Sequence, residues 1–233
     1  AGMTTGQVSI LSTAQVDALT FAMVKGLSTE GLGALSTNVA SVSHIDALTT
    51  TLTQALTTAQ IQALTTSQIE NLSLASASAL TSTQVSSITT NQITHLATAA
   101  IAVLTTDQAF ALTTAQINKL TTTQVAALNA TDIAVLTTAS VGALTTAHIQ
   151  ALATSTVAGL TTTQVTNLTT AQTVALTTTA LAGMNTSQIQ ALSTSQIANL
   201  QVAQLQALTD AQIDSLSTAQ IGALTVTQLK AIL

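Results

Sequence analysis

A period of eight residues governs what this chain can fold into. From Leu56 to Leu224 there are 22 positions at multiples of eight; twenty are Leu, and the other two are Ile88 and Met184. Five residues after each comes Ile, Val or Leu at 19 of the 22, with Ala77, Ala109 and Thr173 the exceptions. Leu56, Ile61, Leu64 and Ile69 show the pattern, as do Leu112, Ile117, Leu120 and Val125. So short a unit can bury its two apolar anchors only against neighbouring units, which is the logic of a solenoid or array.

Three backbones could carry the pattern. A continuous α-helix turns about 100° per residue, so eight residues overshoot two turns by about 80° and the apolar stripe circles the helix. A straight strand keeps register, but puts every Leu on one face and every Ile on the other. The unit also lacks Pro and is poor in the Gly, Asn and Asp that strand corners use. One short helix per octad agrees with the local chemistry. Thr57 stands where an N-cap would and Gln60 follows at the capping-box spacing, while Leu56 and Ile61 form the hydrophobic-staple pair. Thr65 with Gln68 and Thr113 with Gln116 repeat the device. The residue after Leu is Ser or Thr at 17 of 22 positions, and Gln holds the third helical position at 15 of 22.

The expected fold is therefore all-α: a solenoid of very short helices, about Thr58 to Ala63 in the first unit, with Leu and Ile inside and the Thr-Thr corners outside. The alternative is a β-solenoid, since Thr, Val and Ile favour strands. Charges support the helices. Glu30, Asp107, Asp132 and Asp210 fall early in predicted helices, and Lys25, Lys119 and Lys230 fall late, as the helix dipole favours. Small residues before Leu, such as Ala63, Ala111, Ala127, Gly159 and Gly183, point to close contact between successive turns.

The phase slips once. Thirteen residues separate Leu35 from Leu48, five more than a unit, so 36–44 is a phase break. It divides the chain into residues 1–47, degenerate repeats forming a candidate N-terminal cap or contact segment, and residues 48–233, the regular array. The degenerate copies include Met23 and Gly31 at Gln positions, and the unit at Gln201 has lost its hydroxyl cap. The array ends on Ile232-Leu233, an apolar pair read as a candidate subunit contact.

Composition narrows function mainly by exclusion. The net charge of −5, with three Lys and no Arg, argues against nucleic acid. No apolar run approaches the roughly 18–20 residues of a membrane span, because Thr, Ser and Gln interrupt every unit. There is no Cys, and the first residues show no basic region followed by an apolar core. His44, His95 and His148 share no repeat position and make no metal-ligand spacing with carboxylates. Asp210 and Asp214 are four apart, but read as a capping and a solvated carboxylate. Asn71, Asn129, Asn167 and Asn185 each open an Asn-x-Ser/Thr triplet, which Thr-rich repeats generate by chance. No catalytic, cofactor or metal residue is expected, and the chain does not read as an enzyme.

The Leu-Thr-Thr-x-Gln-Ile/Val-x-x unit resembles low-complexity tandem repeats of large secreted or surface proteins of bacteria, often labelled adhesin-like or haem-utilisation-like. The resemblance covers about 45–233, and 8–35 more weakly. It implies an extracellular structural or adhesive role and carries over no functional residue. The expectation is a structural protein that associates with copies of itself into a filament, sheath or stalk, because charged residues make up only 5% of the chain. The alternatives are Thr rows that bind ice or a polysaccharide, similar in surface design to the ice-binding faces of antifreeze solenoids, and a passive spacer of a large adhesin.

Overall fold

The structure is a computed structural model that describes residues 3–12, 15, 23, 26–28, 30–31 and 50–233. It is all-α: 24 short helices and no strand among the described residues. The β-solenoid alternative is thereby set aside. The helix Thr58–Ala63 has the bounds its caps and staple imply.

The octad that begins at Leu56 shows the plan on which the others vary. Thr57, at φ −74° and ψ 161°, accepts the N–H of Gln60 on its hydroxyl and starts the helix. Leu64, at φ −58° and ψ 135°, ends it, its N–H donating to the carbonyl of Ile61. Two consecutive extended residues, Leu and then the cap, make the corner between helices. Both have negative φ, which any L residue adopts, so the corner needs neither Gly nor Pro.

The chain forms two compact units, Ala1–Leu120 and Thr121–Leu233. In the first, the helices Thr58–Ala63, Ser82–Ser87 and Thr106–Ala111 stack on one another, as do Thr66–Glu70, Thr90–Ile93 and Thr114–Lys119, and Thr50–Ala55, Leu74–Ala79 and Thr98–Ala102. In the second, one stack runs Thr122–Ala126, Thr146–Ala151, Thr170–Ala175, Thr194–Ala198, Thr218–Gly222. A second runs Ala130–Val135, Thr154–Ala158, Thr178–Ala182, Val202–Gln206, Val226–Ile232, and a third takes the remaining helices from Thr138–Gly142 to Asp210–Asp214. Within each unit the helices of these stacks thus meet the helix three octads on, so three octads complete one turn.

The core is the anchor set read from the sequence. Leu56, Ile61, Leu64, Ile69, Leu112, Ile117, Leu120 and Val125 are all 4% exposed or less. Burial of each such side chain contributes about 1.5–3 kcal/mol, which sustains helices too short to stand alone. The three exceptions at the second anchor, Ala77, Ala109 and Thr173, are buried too, and the Thr173 hydroxyl donates to the carbonyl of Thr169 at 3.0 Å.

Successive turns approach closely where the residue before the Leu position is Gly. A Cβ on Gly159 would lie 2.5 Å from the carbonyl oxygen of Ala130, and one on Gly183 would lie 2.4 Å from Cγ2 of Thr154. This is the close contact the small residues predicted. The phase break at 36–44, and with it the boundary at 47/48, lies outside the described residues, as do Lys25 and His44. Its length nevertheless leaves a trace on either side. The Gln60 amide donates to the carbonyl of Leu27, 33 residues back, where regular octads make the equivalent bond 28 residues back. The difference is the five inserted residues, so the packing register holds across the insertion.

Candidate functional site

Two sets of polar residues recur through the array, and they behave oppositely. The first is glutamine. Gln172 is 3% exposed. Its Oε1 accepts the N–H of Thr169 at 2.9 Å, which caps its own helix. Its Nε2 donates to the carbonyls of Val141 at 2.9 Å and Leu144 at 2.8 Å, which lie one turn earlier. Gln84, Gln92, Gln108, Gln116, Gln164, Gln196 and Gln212 repeat the arrangement. One buried amide therefore satisfies the start of one helix and the end of the helix beneath the corner. Sequence reasoning found the first half of this role and missed the second. The capping-box spacing is local, whereas the carbonyls 28 and 31 residues away become neighbours only once the number of octads per turn is known.

The second set is threonine at the first helical position. It occurs at 16 of the 22 octads, among them Thr58, Thr114, Thr122, Thr146 and Thr170. All are exposed except Thr66, which is half-buried. Among the described residues, none of these hydroxyls makes an intramolecular hydrogen bond, in contrast to the cap hydroxyls one residue before them. Threonine is also a weak helix former, so the fold gains little from it. Another exposed position varies freely: the residue after the second anchor is Gln62, Glu70, Ser78, Ala102, Phe110 and Asn118 in different octads.

The remaining candidates are placed by the same frame. Thr57, Thr65 and Thr113 cap helices and form boxes with Gln60, Gln68 and Gln116, as the sequence implied. Asp107 and Asp210 lie in first turns, Lys119 and Lys230 in last turns. Asp210 and Asp214 are exposed, as is His95, whereas His148 is buried at a glutamine position. Asn129 and Asn185 are N-caps, and the amides of Asn71 and Asn167 donate to the carbonyls of Ser67 and Thr163. At the degenerate unit, the N–H of Gln201 still donates to Gln204, and the helix forms without a side-chain cap. Phe110 is 60% exposed, and Leu233 is 96% exposed beside a half-buried Ile232.

Asp132 stands where Gln would. Burial pushes its carboxyl above the usual carboxylate range, opposed in part by hydrogen bonds from the Asn129 backbone and side chain. Among the described residues, no group of three His, Cys, Asp or Glu could hold a metal ion, and no helix is long and apolar enough to cross a membrane.

These observations define a tandem-repeat protein: an all-α solenoid whose buried polar groups are spent on joining helices. Three stretches, residues 88–122, 170–202 and 197–232, match the model of the ALTTAQ repeat. No curated protein matches the chain.

Proposed function

We propose that the chain is a structural repeat protein that associates with copies of itself through its threonine rows, forming a filament, sheath or stalk outside a bacterial cell. The observation that carries this reading is the recurrence of Thr at the first helical position, exposed and without an internal partner. The fold does not need it, yet it is as regular as the glutamines. A surface repeated at the period of the array suits a partner with the same period, and another copy of the array has that period. The chain carries few charges to keep copies apart.

Electron microscopy and analytical ultracentrifugation of the full chain at high concentration test the reading. Expected are ordered filaments or bundles that disappear in the triple variant Thr146→Lys, Thr170→Lys, Thr194→Lys. A strictly monomeric chain at millimolar concentration would overturn it. Extracellular placement is tested separately, by protease accessibility on intact source cells.

A second reading keeps the same surface and changes the partner. In the second unit the stack from Thr122–Ala126 to Thr218–Gly222 presents Thr122, Thr146, Thr170, Thr194 and Thr218 without a break, and its octads contain no Asp, Glu, Lys or Arg. An uncharged, regularly repeated row of hydroxyl and methyl groups also suits ice or a regular polysaccharide. Absence of both thermal hysteresis and glycan binding removes this alternative.

A further inference from the structure

A periodic row slid along its partner by one turn meets the same groups again, so rows of threonine alone set no register between two copies. Register has to come from residues that break the period. In the second unit the row Thr138, Thr162, Thr186 ends in Asp210, and Asp214 closes the same helix. Both carboxylates are exposed, and among the described residues neither makes a hydrogen bond or an ion pair. The fold does not ask for them. Carboxylates four apart on a helix repel, and Asp214 stands at the C-terminal end, where the helix dipole disfavours an anion. The helix stacked against them, Thr186–Gln190, and the helices before and after, Val202–Gln206 and Thr218–Gly222, contain no Lys, Arg or His.

The first unit carries the complement. Its stack Thr66–Glu70, Thr90–Ile93, Thr114–Lys119 presents the row Thr66, Thr90, Thr114 without a break, and its last helix ends in Lys119. Lys119 is exposed and, among the described residues, makes no ion pair. It holds the octad position of Gly159 and Gly183, whose neighbours in the turn before are the first helical residues Ala130 and Thr154. By the repeat, Lys119 stands beside Thr90, so its ammonium belongs to the row. Two turns down the same stack is Glu70, also exposed. The array's other lysine, Lys230, lies on a stack whose row has turned apolar at Val202 and Val226.

We infer that the row ending in Asp210 and Asp214 of one copy docks on the row carrying Lys119 of a second copy, and that this pairing fixes the register of the assembly. The inference rests on association through the threonine rows. Alignment of the carboxylate pair with Lys119 is attractive, whereas a slip of two turns sets the pair against Glu70, so one register is favoured and another penalised. Exposed ion pairs add little affinity, but a choice among otherwise equal registers needs only a difference between them. The two patches are different surfaces of the chain. Their contact is therefore heterologous, the kind that propagates into a filament unless it closes into a ring. The uncharged row from Thr122 to Thr218 holds neighbours alongside but sets no register of its own.

The test is charge reversal in the full chain, read by electron microscopy and sedimentation at high concentration. Expected is loss of ordered filaments in Lys119→Glu alone and in the double variant Asp210→Lys, Asp214→Lys alone. Their equimolar mixture should form filaments again, because every contact between the two kinds of chain is then complementary. Recovery in the mixture also shows that both variants fold. Lys230→Glu should leave the filaments unchanged. Wild-type filaments that persist in either reversal variant, a mixture that fails to recover, or a Lys230→Glu chain as damaged as Lys119→Glu overturns the register pairing and leaves association through the rows standing. A wild-type chain that stays monomeric removes both.

Discussion

Two parts of the second unit differ by one functional group per octad. From Leu160 upward, Gln164, Gln172, Gln188, Gln196, Gln204, Gln212, Gln220 and Gln228 each send an amide to the carbonyls of the turn before. From Leu128 to Gly159 the same position holds Asp132, Ser140, His148 and Thr156. The glutamine performs two tasks, and Thr156 shows that they are separable. Asp132 and His148 keep the cap, accepting the N-cap N–H at 3.2 and 3.3 Å. Thr156 keeps the bridge, donating to the carbonyl of Leu128 at 2.9 Å, and its helix starts at Ala153 with no side-chain cap. Helices form in both parts, so the amide is not what makes an octad helical. Its separate contribution is to tie one turn to the next.

The comparison breaks first if a glutamine proves dispensable. Gln196→Ala removes the acceptor of the Ser193 N–H and the donors to Val165 and Leu168; the Val165 carbonyl keeps the N–H of Leu168, while the Ser193 N–H and the Leu168 carbonyl lose these bonds. The expected loss is about 2–4 kcal/mol in urea unfolding, against about 1 kcal/mol for Thr156→Ala, which removes a single bond. Equal effects would mean that the amide adds nothing beyond what a hydroxyl supplies.

Backbone approach is the next lever. Gly159→Ala drives a methyl against the backbone of Ala130, which has no rotamer to yield, and should cost about 1–3 kcal/mol. Gly222 has open space around its would-be Cβ, so Gly222→Ala should stabilise by about 0.5–1 kcal/mol. Thermal unfolding of the two variants side by side checks the sign of each. A neutral Gly159→Ala would mean that the turns are not in register contact on that stack.

These contrasts mark how far the sequence could be read. The helix bounds at Thr58–Ala63 and the cap at Thr57 were legible because each follows from contacts within six residues, and the burial of Leu56 and Ile61 because their kind recurs at the period of the array. The cross-turn role of Gln60 was not, because the carbonyl of Leu27 comes near only after a full turn has closed. The outward-facing Thr rows were legible as a pattern. That the hydroxyl at Thr58 is idle while the one at Thr57 is engaged required coordinates. His148 was legible as an irregularity at a glutamine position; that it is buried there and accepts the Thr145 N–H shows only in the fold.

Restoring an amide should work as well as removing one. Ala180 occupies a glutamine position one turn above the carbonyls of Ile149 and Leu152, and Thr177 already caps its helix. Ala180→Gln should complete the capping box, bridge the turns and gain about 1 kcal/mol, read as a higher urea midpoint with unchanged slope. A loss instead would show that the space used by Gln172 and Gln188 has closed at this octad.

The smallest expected change comes with a definite pH signature. Burial raises the Asp132 carboxyl above its ordinary value, so the folded chain holds that proton more tightly than the unfolded chain does. The stability tied to the neutral acid is then fully present below the ordinary carboxylate range, and is lost as pH rises through the raised value. Asp132→Asn keeps an oxygen for the Asn129 N–H, which Asp132 accepts at 3.2 Å, and removes the buried charge. The variant should match the parent near pH 3 and exceed it at pH 7, the gap opening across the acid range in urea titrations at each pH. A gap that closes toward neutral pH would mean that the Asn129 hydrogen bonds outweigh burial, and that a carboxylate caps this octad as well as the amide caps its neighbours.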